Sequence, residues 1–114
     1  MIRVVGILNG TTNYILTRMA DEGAEYEKAL LDAQELGYAE KPDASMDVDG
    51  HDAAAKAAIL ASLAFDSKVH SDDVFREGIA SVTPTDIRIA RQLGYEIKLV
   101  GIANESDGKL GVRV

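Results

Sequence analysis

With 114 residues, 46% of them hydrophobic and 27% charged, the chain has the size and composition of one ordinary globular domain with a core of its own. A formal net charge of −7 without any basic cluster argues against nucleic-acid binding, and the absence of cysteine excludes disulfides and thiolate metal sites. The longest apolar run is interrupted by Lys56 and Ser62, short of the roughly 18 residues that a membrane span needs.

Ile2 to Leu8 reads as a strand that starts without a lead-in. Asn9-Gly10-Thr11-Thr12-Asn13 then offers several N-caps for a helix carrying Ile15, Leu16 and Met19 and ending near Gly23. Tyr26, Ala29, Leu30, Ala33 and Leu36 recur at helical spacing, and Gly37 supplies the stop. Residues 38–50 show no period, and Pro42 breaks any helix there. Asp49 and Asp52 have the spacing of a capping box and are expected to open a helix through Phe65. A short strand is expected near Glu77-Gly78-Ile79. Thr83 and Asp86 bracket Pro84 in a helix-start pattern, and that helix carries Ile87, Ala90 and Leu93 and stops at Gly94. Tyr95 to Ala103 reads as a strand, Asn104 to Gly108 as a hairpin turn, and Lys109 to Val114 as a strand only just begun. The pattern predicts an α+β fold, with helices packed on one face of a mixed β-sheet. It is not a Rossmann fold, because no Gly-x-Gly-x-x-Gly occurs and strands do not alternate with helices. The abrupt ends suggest the central piece of a longer protein, and the absence of a signal peptide points to the cytoplasm.

Lys56 is the most informative residue. It sits in an otherwise apolar helix, with Asp52 one turn before it and Ile59, Leu60 and Leu63 after it, where a core-facing stripe is expected to begin. Desolvation lowers a lysine pKa and a neighbouring carboxylate raises it, so a lysine held between the two suits proton transfer. The plainer reading is a lysine that lays its methylenes on apolar surface and lifts its ammonium into water. Glu40, Asp43, Asp47, Asp49 and Asp52 precede it. They could ligate calcium or magnesium, although their spacing fits no twelve-residue calcium loop. They could equally be a solvated acidic loop with helix caps, or one wall of a polar pocket for a cationic group. Thr11, Thr12 and Asn13 could cap a helix or hold a carboxylate at its N-terminus. A ligand with both an amine and a carboxylate would satisfy both places, and that is an amino acid.

Gly6-Ile7-Leu8-Asn9-Gly10-Thr11-Thr12-Asn13-Tyr14-Ile15-Leu16 resembles the opening of the substrate domain of homoserine dehydrogenases. The resemblance continues, in order, through Ala33 to Glu40, Asp47 to Lys56, Ile59-Leu60-Ala61, Glu77-Gly78-Ile79 and Leu93 to Leu99, nearly the whole chain. It implies an NAD- or NADP-dependent oxidoreductase that interconverts homoserine and aspartate semialdehyde in threonine and methionine biosynthesis. It places the family's active-site lysine on Lys56, the substrate-binding glutamate on Glu40 and a substrate-contacting aspartate on Asp52. Tyr38, Thr11 and Asp47 match positions lining the same pocket. It further implies that residues 1–114 are part of a substrate-binding, catalytic and dimerising domain, that a dinucleotide-binding domain precedes it, and that the protein is a homodimer or larger homo-oligomer. The stretch Lys41-Pro42-Asp43-Ala44-Ser45-Met46-Asp47 departs from the family pattern: Pro and Asp are exchanged and the loop is about one residue longer, which leaves the role of Asp43 open. An amino-acid sensor without catalysis, or a dimerisation module, is the rival reading.

Overall fold

The computed structural model describes residues 2–114. Strand β1 (Ile2–Gly6) is followed by helices α1 (Gly10–Glu22), α2 (Tyr26–Glu35), α3 (Ser45–Val48) and α4 (His51–Ala64). A 3₁₀ turn (Ser71–Asp73), helix α5 (Pro84–Gln92) and the strands β2 (Gly101–Ser106) and β3 (Lys109–Arg113) complete the order. The three strands form an antiparallel sheet in the order β1-β2-β3, with Val4 opposite Ala103 and Ala103 opposite Val112. Its parallel component is a single bridge, Phe75 to Arg113, flanking β3.

The first two helices follow their patterns. Asn9 caps α1 by accepting the Thr12 N–H, and Gly23 closes it in the left-handed conformation at φ 65°. Thr12, Ile15, Leu16 and Met19 bury one stripe of α1, each at 1% exposure or less. They meet Ala29 and Ala33 of α2, where the small side chains let the two helices approach. Burying Ile15, Leu16 and Met19 contributes about 1.5–3 kcal/mol each. Leu36, expected on this stripe, is exposed instead, because α2 ends at Glu35 and the chain turns away through Gly37 at φ 80°. The capping box at Thr83 and Asp86 is present, with Pro84 in the first turn of α5.

Four expectations are corrected. The N-cap of α4 is Gly50 at φ 83°, not Asp49, because the chain leaves α3 and re-enters helix through a left-handed corner that favours glycine. The Asp52 carboxylate is drawn to Lys56 and Asn9 rather than to a cap. Tyr95–Val100 is irregular and the strand starts only at Gly101. The cause is Asn13, whose side chain takes both the N–H and the C=O of Leu99, at 2.9 and 3.1 Å, in place of a neighbouring strand. Finally, β3, expected as a strand only just begun, is paired on both sides. Residues 75–77 run beside it in parallel, through Phe75 N–H to Val112 O, Val114 N–H to Phe75 O and Glu77 N–H to Val114 O. The expected strand near Glu77 therefore exists as an extended segment displaced toward Phe75. Among the described residues, the free edge is β1.

The buried face of α4 is also not the expected one. Ala53, Ala54, Ala57, Ala58 and Ala61 face inward, while Ile59, Leu60 and Leu63 are 60%, 41% and 77% exposed. Helix α4 covers the sheet at Gly101, whose missing Cβ leaves room for Leu8 and Ala57. Only small residues fit a contact that close. No helix of the described residues is long and apolar enough to cross a membrane.

Candidate functional site

Three segments meet at the N-terminus of α1: the β1–α1 junction (8–12), the link from α2 to α3 (36–44), and the α3–α4 corner with the first turns of α4. The shortness of the β1–α1 junction brings Leu8, Asn9 and Thr11 to one spot.

Lys56 and Asp52 lie one turn apart on one face of α4, and Lys56 Nζ stands 2.9 Å from Asp52 Oδ2. The same ammonium donates to the Leu8 carbonyl at 3.0 Å. Two of its three N–H groups are thus directed, leaving one free. The lysine side chain is about half exposed, so a small molecule can reach Nζ. Its burial is therefore less than the apolar helix suggested, and its exposure is that of the plainer reading. Its carboxylate partner is the expected one. The hydrogen bond from Lys56 holds the Asp52 carboxyl below the usual range, partial burial opposes this, and the amide of Asn9 assists it.

Asp47 joins this group through Asn9. The Asn9 Nδ2 donates to Asp47 Oδ1 at 2.8 Å and to Asp52 Oδ2 at 3.1 Å. Thr11 and Tyr38 form a second, adjoining cluster. The Thr11 hydroxyl donates to the Tyr38 carbonyl at 2.7 Å, and the Tyr38 ring meets Tyr14 edge to face at 5.0 Å. Gly10, Thr11, Tyr14, Gly37 and Tyr38 line an open concavity there. Glu40 follows on the same loop. Its backbone carbonyl is anchored by Gln34 Nε2 at 2.8 Å, while its exposed carboxylate joins no hydrogen bond or ion pair among the described residues. The structure thus brings Lys56, Asp52 and Asp47 together, places Thr11 and Tyr38 beside them, and leaves Glu40 free at the rim of the loop.

Asp43 is used locally. Its carboxylate accepts the Ser45 N–H at 2.9 Å, which lowers its pKa and starts the short helix α3. Among the described residues, no three of His, Cys, Asp and Glu stand so as to hold a metal ion.

Two residues escaped the reading of the sequence as more than local. Asn9 was visible as an N-cap, but a capping asparagine still has two N–H donors to place, and here they bind the acidic pair. Gln34 sits inside the Ala33–Glu40 motif and is buried, and it fixes the loop at Glu40.

Comparison with known proteins identifies the family of the chain. The homoserine dehydrogenase family model matches residues 1–114. Homoserine dehydrogenase of Mycobacterium leprae is 60% identical over 102 residues, covering 90% of this chain and 23% of that protein. The enzyme of Synechocystis is 58% identical, covering 93% of this chain and 24% of that protein. A crystal structure of Staphylococcus aureus homoserine dehydrogenase superposes with a TM-score of 0.95 at 46% identity, over 97% of this chain and 28% of that one. That of Thiobacillus denitrificans gives 0.93 at 43% identity, over 97% and 26%. The chain spans about a quarter of the length of the curated relatives it matches. Matched from its first residue to its last, with its fold shared at these TM-scores, the chain belongs to the homoserine dehydrogenase family.

Proposed function

We propose that this chain supplies the substrate-binding and proton-transfer groups of an enzyme that interconverts L-homoserine and L-aspartate 4-semialdehyde with NAD or NADP. The observation that carries the reading is Lys56 Nζ, held at 2.9 Å by Asp52 and at 3.0 Å by the Leu8 carbonyl, half exposed, with one N–H left to a ligand. Oxidising the alcohol removes a hydride from carbon and a proton from oxygen. Lys56, as the amine, takes the hydroxyl proton; as the ammonium it returns one to the carbonyl oxygen in the reverse direction. Asp52 fixes where Nζ points. Glu40, whose carboxylate has no protein partner among the described residues, pairs with the substrate ammonium, while Thr11 and Tyr38 shape the adjoining wall.

The dinucleotide does not fit the described residues. The one helix that follows a strand closely, α1, already has its Thr12 amide taken by the Asn9 side chain, and no Gly-x-Gly-x-x-Gly is present to cradle a pyrophosphate. We assign its seat to a segment outside these residues, since the matched curated relatives are about four times as long, and the choice between NAD and NADP goes with that segment. In the full-length protein, Lys56→Ala should lower kcat for homoserine oxidation by about 10²–10⁴-fold with the fold intact. Near-normal turnover would remove Lys56 from proton transfer.

A further inference from the structure

We propose that Asn9 is a positioning residue of this site: its side-chain amide holds Asp47 and Asp52 side by side and thereby fixes Lys56. The proposal rests on the functional reading above and deepens it.

Asn9 is only 4% exposed, and every polar site of its side chain is occupied. Its Oδ1 accepts the Thr12 N–H at 2.8 Å and the Thr12 hydroxyl at 2.9 Å. Its Nδ2 donates to Asp47 Oδ1 at 2.8 Å and to Asp52 Oδ2 at 3.1 Å. The chemistry allows one orientation of the amide. A backbone N–H can only donate, so Oδ1 faces Thr12; ionised carboxylates can only accept, so Nδ2 faces Asp47 and Asp52. The Asp52 oxygen that receives Asn9 is the same Oδ2 that receives Lys56. The residue before Asn9 supplies the second Lys56 acceptor, the Leu8 carbonyl. Two consecutive residues at the β1–α1 junction therefore govern both partners of the ammonium.

Electrostatics make the amide consequential. The charged groups facing Asn9 are Asp47 from α3 and, from α4, Asp52 with Lys56 behind it. Two carboxylates on one amide repel each other, and one lysine neutralises only one of them. The Asn9 N–H groups compensate that repulsion and set the angle of both carboxylates. A helix cap alone requires none of this, since aspartate or serine caps as well as asparagine.

That difference supplies the test, in the full-length protein. Asn9→Asp keeps the size and the acceptor for Thr12 but replaces two donors with a third negative charge. Asn9→Ser keeps a capping oxygen, adds no charge and replaces the two amide donors with at most one, on a shorter side chain. Both variants should cap α1, yet kcat/KM for homoserine should fall about 10–100-fold, the usual effect of losing a partner that orients a reacting group. The Asn9→Asp loss should shrink toward low pH, as the added carboxyl protonates and donates again. The Asp52 carboxyl, followed by NMR in Asn9→Ser, should titrate higher than in the wild type. A kcat/KM within twofold of wild type and an unchanged pH profile in either folded variant would overturn the proposal. So would activity that merely tracks the folded fraction, with Asp52 titrating as before. A wild-type enzyme inactive on homoserine would instead sink the functional reading, and the Asp52 titration would still decide the role of Asn9.

Discussion

Gly78 is the position where one methyl group should disturb both stability and site. A Cβ there would lie 2.5 Å from the Val48 carbonyl oxygen and 2.9 Å from Asp49 Cα. Both neighbours are backbone, so no side chain can swing aside. To reach an ordinary contact at 3.4 Å the segment must retreat by about 0.9 Å from 2.5 Å. The Ile79 N–H to Val48 O bond, now 2.8 Å, spans the same gap and would open with it. Overpacking of this kind costs about 1–3 kcal/mol, and the lost hydrogen bond about 0.5–1.5 kcal/mol. Gly78→Ala should therefore cost about 2–4 kcal/mol, or about 6–12 °C in Tm at roughly 3 °C per kcal/mol. Val48 and Asp49 form the corner that places Asp47 on one side and Asp52 on the other, so the shift should also raise KM or lower kcat. Scanning calorimetry and homoserine kinetics on the full-length protein read both effects. Gly10→Ala, whose new Cβ meets nothing within 4 Å, is the control and should not lower Tm. A Gly78→Ala variant unfolding within a degree of wild type, with unchanged kinetics, would refute the reasoning.

Two further outcomes follow from the site and the sheet. Glu40→Gln should leave stability unchanged, because the exposed carboxylate has no protein partner among the described residues, but should weaken homoserine binding, by about 2–5 kcal/mol once bound substrate has closed the charge pair off from water. Calorimetric titration reads this directly, and unchanged affinity would return residues 40–49 to a solvated loop. The full-length protein should sediment as a dimer or larger assembly. The sheet face opposite α4 presents Val5, 52% exposed, beside Ile102, and β1 leaves an open edge. A monomer at tens of micromolar would exclude self-association.

What the sequence disclosed was mostly local. Helices α1 and α5 announced themselves through caps three residues from their partners, and the Asp52–Lys56 pair through a one-turn spacing. What it hid was decided by distant residues. Tyr95–Val100 has strand composition, yet Asn13, 86 residues from Leu99, takes its hydrogen bonds. Helix α3 has four residues and no period of its own; the Asp43 turn and the Ile79 contact hold it. The family resemblance named Asp47 as a pocket residue, but its link to Asp52 runs through Asn9, 38 positions away, and only the folded chain shows it.

The misjudged face of α4 has a physical lesson for the site. Ranking side chains by hydrophobic bulk selects Ile59, Leu60 and Leu63 as the core face, and all three point to solvent. The inward face is alanine because the helix must come close. At Gly101 a Cβ would stand 2.6 Å from Leu8 Cδ1 and 3.5 Å from Ala57 Cβ, so sheet, junction and helix are already in contact there. Ala57 is the neighbour of Lys56, and Leu8 carries the carbonyl that Lys56 reaches at 3.0 Å. Any bulkier residue at this contact would push α4 away from the junction, and Nζ would lose Leu8 before it lost Asp52, which rides on the same helix. The small side chains of α4 therefore set the distance across which its lysine is positioned.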